Sequence, residues 1–96
     1  MRLVRTVAEL RIALRALREG GKRLGFVPTM GFLHDGHAAL IRSCTARCGA
    51  TVVSIFVNPA QFGPSEDLSK YPRDLEADQN LCLRMGVDLV LSLIHI

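Results

Sequence analysis

Two histidines three residues apart, His34 and His37, enclose Asp35-Gly36 and follow directly on Phe26-Val27-Pro28-Thr29-Met30-Gly31-Phe32-Leu33. Imidazole N–H groups donate hydrogen bonds, and a pair on one face suits a group whose negative charge grows during reaction, such as a phosphate under nucleophilic attack. The helical spacing of Ala38-Ala39-Leu40-Ile41 puts the pair at a helix N-terminus. Residues three apart share a face there, and the helix's positive end attracts anions. Gly36 removes a side chain where a nucleotide would approach closely. An apolar strand, a turn through Gly31 and a helix start, in that order, form a cradle for phosphate. The plain alternative is that one histidine caps the helix and the other is a surface residue. A lone H-x-x-H favours that alternative; the preceding strand, Pro28 and Gly31 favour the phosphate site.

A second constellation, Asn58-Pro59-Ala60-Gln61, follows the β-branched run Thr51–Val57. Neutral amides hold hydroxyls and a carboxylate without pairing that carboxylate with a full positive charge, which leaves it nucleophilic. A plain β-turn with a solvated glutamine explains the same residues, and spacing alone does not separate the two readings.

The elements that must position these groups can be read in order. Leu3-Val4 forms a short strand. Thr6-Val7-Ala8-Glu9 has the form of a capping box, and Val7, Leu10, Leu14 and Leu17 make one stripe of a helix that Gly20-Gly21 ends. Lys22 to Val27 is the next strand, broken at Pro28. A helix from Ala38 to about Arg47 closes near Gly49. Thr51 to Val57 reads as a strand covered on both faces, stopped by Asn58-Pro59. Residues 59–73 are loop-like, Asp74 caps a helix to about Met85, Gly86 stops it, and Val87–Leu91 is a further strand. Strands alternating with helices at this spacing predict right-handed βαβ units in an α/β, Rossmann-like parallel three-layer sheet. Ligands on such sheets bind at the carboxyl ends of the strands, which puts residues 28–37 and 58–61 on one rim.

Composition narrows the functions. The 96 residues allow one domain with a modest core. Net charge is +3, with Arg2, Arg5, Arg11, Arg15, Arg18, Lys22 and Arg23 all near the N-terminus. Arg11, Arg15 and Arg18 share a helix face, but with no tryptophan, one tyrosine and no interleaved aromatics a solvated amphipathic face is preferred to a nucleic-acid patch. No apolar run is long enough to span a bilayer, and no signal-peptide pattern follows Met1, so the expectation is a cytoplasmic protein without membrane contact. Cys44, Cys48 and Cys82 lack the spacing of a disulfide framework or a zinc site and read as buried, reduced thiols.

Taken together, V-P-T-M-G-x-L-H-D-G-H, V-V-S-I-F-V-N-P-x-Q-F-G-P, E-D-L-x-x-Y-P-R and G-V-D-L-V closely resemble pantothenate synthetase (pantoate–β-alanine ligase), from about residue 3 to residue 91. The histidine motif alone resembles the wider HIGH-type nucleotidyltransferase superfamily, whose nucleotide-binding domain this chain would begin. The resemblance implies a two-step ligase. ATP and pantoate give pantoyl adenylate and pyrophosphate, then β-alanine displaces AMP to form pantothenate. Met30, Gly31, Phe32, Leu33, His34, Asp35, Gly36 and His37 would line the ATP site, His34 and His37 would act on the phosphates, and His37 is the family's assigned proton donor. Gln61 would hold pantoate and lie beside the path of β-alanine, with Asn58 in the same pocket. Residues 63–71 resemble a flap over that site. Magnesium would arrive with ATP, and homodimers are usual.

Family members are considerably longer and carry a second basic motif and a C-terminal domain. The expectation is therefore a partial Rossmann-like ATP- and pantoate-binding domain over residues 1–91 that makes no pantothenate alone. Ser92–Ile96 departs from the family pattern and is read as a foreign tail, which removes His95 from the site. The competing readings are another nucleotidyltransferase of the same superfamily and a non-catalytic nucleotide- or RNA-binding module.

Overall fold

The structure is a computed structural model that describes residues 1–56 and 74–92. Four strands, β1 (Arg2–Val4), β2 (Leu24–Thr29), β3 (Ala50–Ile55) and β4 (Leu89–Ser92), alternate with three helices, α1 (Val7–Glu19), α2 (Asp35–Arg47) and α3 (Leu75–Arg84). All strand pairs are parallel, in the order β1-β4-β3-β2. The three-layer α/β sheet expected from the sequence is what forms.

Alternation along the strands divides the core. Val27, Val53, Ile55 and Val90 pack with Ile41 of α2 and Cys82 of α3 on one face. Val4, Val52, Leu89 and Leu91 pack with Ala13 of α1 and with Leu10, Leu14 and Leu17 on the other. Every residue of β3 and β4 is buried, as strands covered on both faces require. Burying side chains such as Val53 or Leu89 completely contributes about 1.5–3 kcal/mol each.

The predicted α1 stripe holds except at Val7, the first residue of the helix, which is 52% exposed. Thr6 caps α1 by accepting from the Glu9 amide at 3.1 Å. The return half of the box differs: the Thr6 hydroxyl donates to the Glu9 carboxylate. Arg11, Arg15 and Arg18 are exposed, as a solvated face should be.

Several boundaries move: β3 runs Ala50–Ile55 rather than 51–57, and β4 runs Leu89–Ser92, so Ser92, expected in the tail, pairs with Ile55 in the sheet. β2 does not break at Pro28: it runs through it, with Pro28 in register with Ser54 and Thr29 with Ile55. Among the described strands β2 lies at an edge, where a proline's missing N–H interrupts no ladder on its outer side. The second helix begins at Asp35, three residues before the expected start, for a reason that lies in the histidines. Cys82 is buried, whereas Cys44 and Cys48 are only partly so; all three are free. Their place explains Gly25. A Cβ there would meet the Cys44 and Cys48 sulfurs, so the α2 thiols pack directly on the β2 backbone. Residues 93–96, with His95, and residues 57–73, with Asn58, Gln61 and the predicted flap, lie outside the described residues.

Candidate functional site

The rim of the sheet is assembled from Thr29 outward. The Thr29 hydroxyl donates to the Ser54 carbonyl at 2.9 Å and accepts from the Gly31 amide at 3.1 Å. Its carbonyl accepts from the Phe56 amide. One buried side chain thus ties the ends of β2 and β3 together and starts the turn.

That turn needs left-handed backbone at two successive residues, Gly31 (φ 83°) and Phe32 (φ 52°). Glycine meets the first without cost; phenylalanine does not, and such a residue is held only where its surroundings fix it. The fixing group is Asp78, on α3 and 4% exposed. Its two carboxylate oxygens accept from the Phe32 amide at 2.9 Å and the Leu33 amide at 2.8 Å. Any side chain at position 31 would press on Ile55 and on the Asp78 carboxylate, its Cβ lying 3.0 and 3.2 Å from them.

The chain then enters α2 through a reciprocal cap. His34 is the N-cap, and its Nδ1 accepts from the Gly36 amide at 3.0 Å. His37, at the third helical position, accepts the His34 amide on its own Nδ1 at 3.2 Å. This is a capping box with imidazoles in both roles, and it sets the early start of α2. The rings stand 4.2 Å apart, tilted by 54°. An Nδ1 that accepts a backbone N–H carries no proton, so each neutral ring holds its hydrogen on Nε2 and presents that N–H as a donor. Burial lowers the pKa of His37 below the usual histidine value, the neighbouring His34 lowers it further, and Asp78 opposes them. The neutral ring is therefore favoured.

Two expectations change in this light. Both histidines cap the helix, so capping is no argument against phosphate contact: it fixes the tautomer that contact would need. Gly36 is also explained without a ligand. A Cβ there would lie 2.9 Å from Cε1 of His34, so the glycine makes room for the imidazole that folds over it. Moreover the amides of Gly31, Phe32, Leu33, His34 and Gly36 all donate within the protein. The turn is no nest of free backbone donors of the P-loop kind. The donors the cap leaves on the two rings are their Nε2–H groups, at the positive end of α2.

The structure brings Met30 to His37 together at the carboxyl end of β2, with Phe32 and His34 exposed and Met30, Leu33 and His37 half-buried. Sequence reasoning passed over Thr29 and Asp78. Asp78 carried a legible signal: with Leu75, Cys82 and Met85 it forms the stripe that α3 turns toward the core, and a carboxylate there must find partners. Among the described residues no group of three or more His, Cys, Asp or Glu side chains is placed to hold a metal ion, and no helix is long and apolar enough to cross a membrane.

Comparisons with known proteins bear on the family and the fold. Residues 2–92 match the family described as Pantoate-beta-alanine ligase. The chain is 58% identical over 92 residues to pantothenate synthetase 1 of Bradyrhizobium diazoefficiens and 60% identical to the pantothenate synthetase of Agrobacterium fabrum, covering 96% of this chain and 32% of each relative. It superposes on the crystal structure of the Thermus thermophilus enzyme with a TM-score of 0.87 at 55% identity, over 96% of this chain and 32% of that one. A pantoate-beta-alanine ligase from Francisella tularensis, complexed with beta-gamma ATP and beta-alanine, superposes with a TM-score of 0.83 at 32% identity, over 98% of this chain and 36% of that one. The chain thus spans about a third of the length of these relatives.

Proposed function

The chain belongs to the pantoate-beta-alanine ligase family, and from that premise we propose that its histidine turn is the phosphate-binding part of an ATP-dependent ligase joining pantoate to β-alanine. The observation that carries this is the reciprocal His34–His37 cap. Two neutral imidazoles, locked in the Nε2–H tautomer at the carboxyl end of a parallel strand, are donors prepared in advance for a phosphate.

In the first step the pantoate carboxylate attacks the α-phosphorus of ATP, which arrives with magnesium as its counter-ion. The bond to the bridging oxygen breaks and pyrophosphate leaves. Negative charge shifts onto the phosphate oxygens, where the Nε2–H donors of His34 and His37 strengthen their hydrogen bonds. In the second step the β-alanine amine attacks the acyl carbon of pantoyl adenylate, AMP leaves, and the amine proton is lost to give pantothenate. Asn58 and Gln61 follow β3 in sequence and supply neutral amides for pantoate, with Gln61 beside the route of β-alanine. The Met30–Gly31–Phe32 backbone borders the nucleotide. The working enzyme is a cytoplasmic homodimer.

The test is a chimaera in which residues 2–92 replace the matching segment of the Thermus thermophilus relative. Isotopic exchange between ATP and pyrophosphate should depend on pantoate and release AMP once β-alanine is added. Exchange independent of pantoate, or supported equally by CTP, would assign the chain to another nucleotidyltransferase activity.

A further inference from the structure

Asp78 lies on a different helix from the histidines and is separated from them by more than forty residues of sequence, yet three features of the turn converge on it. The residue is 4% exposed. Both of its carboxylate oxygens are taken up by successive backbone amides, those of Phe32 and Leu33. Those amides belong to the segment whose backbone is left-handed at Gly31 and Phe32 and which leads directly into the His34 cap. The same carboxylate favours the protonated form of the His37 imidazole, against burial and His34.

A buried carboxylate that accepts two charge-assisted hydrogen bonds is held firmly, and so are its donors. Leu33 is fixed both by this bond and by its packing against the core under α2 and α3. The next residue is His34, whose amide orients His37. Two elements distant in sequence are thus joined at the point where the turn could otherwise relax out of its strained conformation.

We propose that Asp78 is a positioning residue for the nucleotide site: its carboxylate clamps the Phe32–Leu33 backbone so that the His34–His37 pair is held in register before substrate arrives. It touches no phosphate itself. The proposal deepens the ligase reading and rests on it for its functional meaning, but the clamp can be tested without turnover.

The experiment is amide hydrogen exchange and imidazole titration by NMR on the chain and on Asp78→Asn, which keeps the volume, removes the charge and turns one acceptor into a donor. The amides of Phe32, Leu33 and His34 should exchange at least about 10-fold faster in the variant, the effect of losing one charge-assisted bond, while those of Val53 and Val90 keep their rates. The His37 midpoint should fall, because the charge that favours its protonated form is gone. Uniform acceleration across all five amides with an unmoved His37 midpoint would reduce Asp78 to a general stabiliser and overturn the proposal. If Asp78→Asn does not fold, the wild-type chain still decides: the Phe32 and Leu33 amide resonances must shift with the same midpoint as the Asp78 carboxyl carbon, and amides indifferent to that titration overturn the clamp. Failure of the ligase reading would show separately, as absence of pantoate-dependent exchange in a chimaera whose clamp passes these tests.

Discussion

The backbone N–H of His34 donates to Nδ1 of His37 at 3.2 Å, while the His34 ring accepts the Gly36 amide at 3.0 Å. Both histidines complete the helix terminus through Nδ1, and each neutral ring is left with its N–H on Nε2.

Because the His37 half of the cap requires an unprotonated Nδ1, it fails in acid. The folded pKa of His37 lies below its ordinary value of 6.5. The unfolded chain therefore takes up the proton first as pH falls, so the contribution of neutral His37 is complete above 6.5 and lost as pH drops through the lower, folded value. Stability, followed by urea denaturation at a series of pH values, should decline in that window, and His37→Ala should flatten the decline.

Gly36→Ala should destabilise the chain, although alanine is the better helix former by roughly 1 kcal/mol in a helix interior. The added methyl would meet the His34 ring at 2.9 Å and displace it from the Gly36 amide, and loss of an N-cap costs about 1 kcal/mol. A lowered midpoint in thermal denaturation, together with loss of the Gly36 amide's protection, is the expected outcome; a gain in stability would show that the imidazole is not needed there.

Gly31→Ala should cost more than Gly21→Ala. Both positions have positive φ, 83° and 71°, and each carries the roughly 1 kcal/mol penalty of placing a side chain in left-handed backbone. Only at Gly31 does the new Cβ also press on Ile55 and Asp78; at Gly21 it meets nothing within 4 Å. Parallel denaturation of the two variants measures the difference.

The thiols should react in a defined order. Cys82 is fully buried, and burial with the nearby Asp78 pushes its pKa up to about 11. Since the thiolate is the reactive form, alkylation near neutral pH should be at least about 100-fold slower at Cys82 than at the partly exposed Cys44 and Cys48, as mass spectrometry of labelled peptides would show.

Much of this was legible in the chain itself. The β-branched run of β3, the leucine stripe of α1 and the glycines at helix ends report local backbone preference and burial, so the parallel α/β sheet could be read directly. Pro28 misled because its meaning depends on where β2 lies in the sheet, and an edge position is a tertiary fact. The histidine pair was found by spacing, but spacing does not encode that both rings accept backbone amides on Nδ1 or that His34 is extended (φ −139°, ψ −171°). The α3 stripe makes the burial of Asp78 readable but not its partners, which are backbone amides 45 and 46 residues away.

The central claim is that the His37 Nε2–H stabilises charge on the phosphates during adenylate formation. The most direct test is pantoate-dependent ATP–pyrophosphate exchange in the chimaera with and without His37→Ala, alongside the Kd for ATP. The expected result is a fall of about 10²–10³ in exchange rate, the usual effect of removing one prepared donor, with ATP affinity changed far less. Exchange undiminished by His37→Ala would contradict the claim and return the histidine pair to the role of a helix cap.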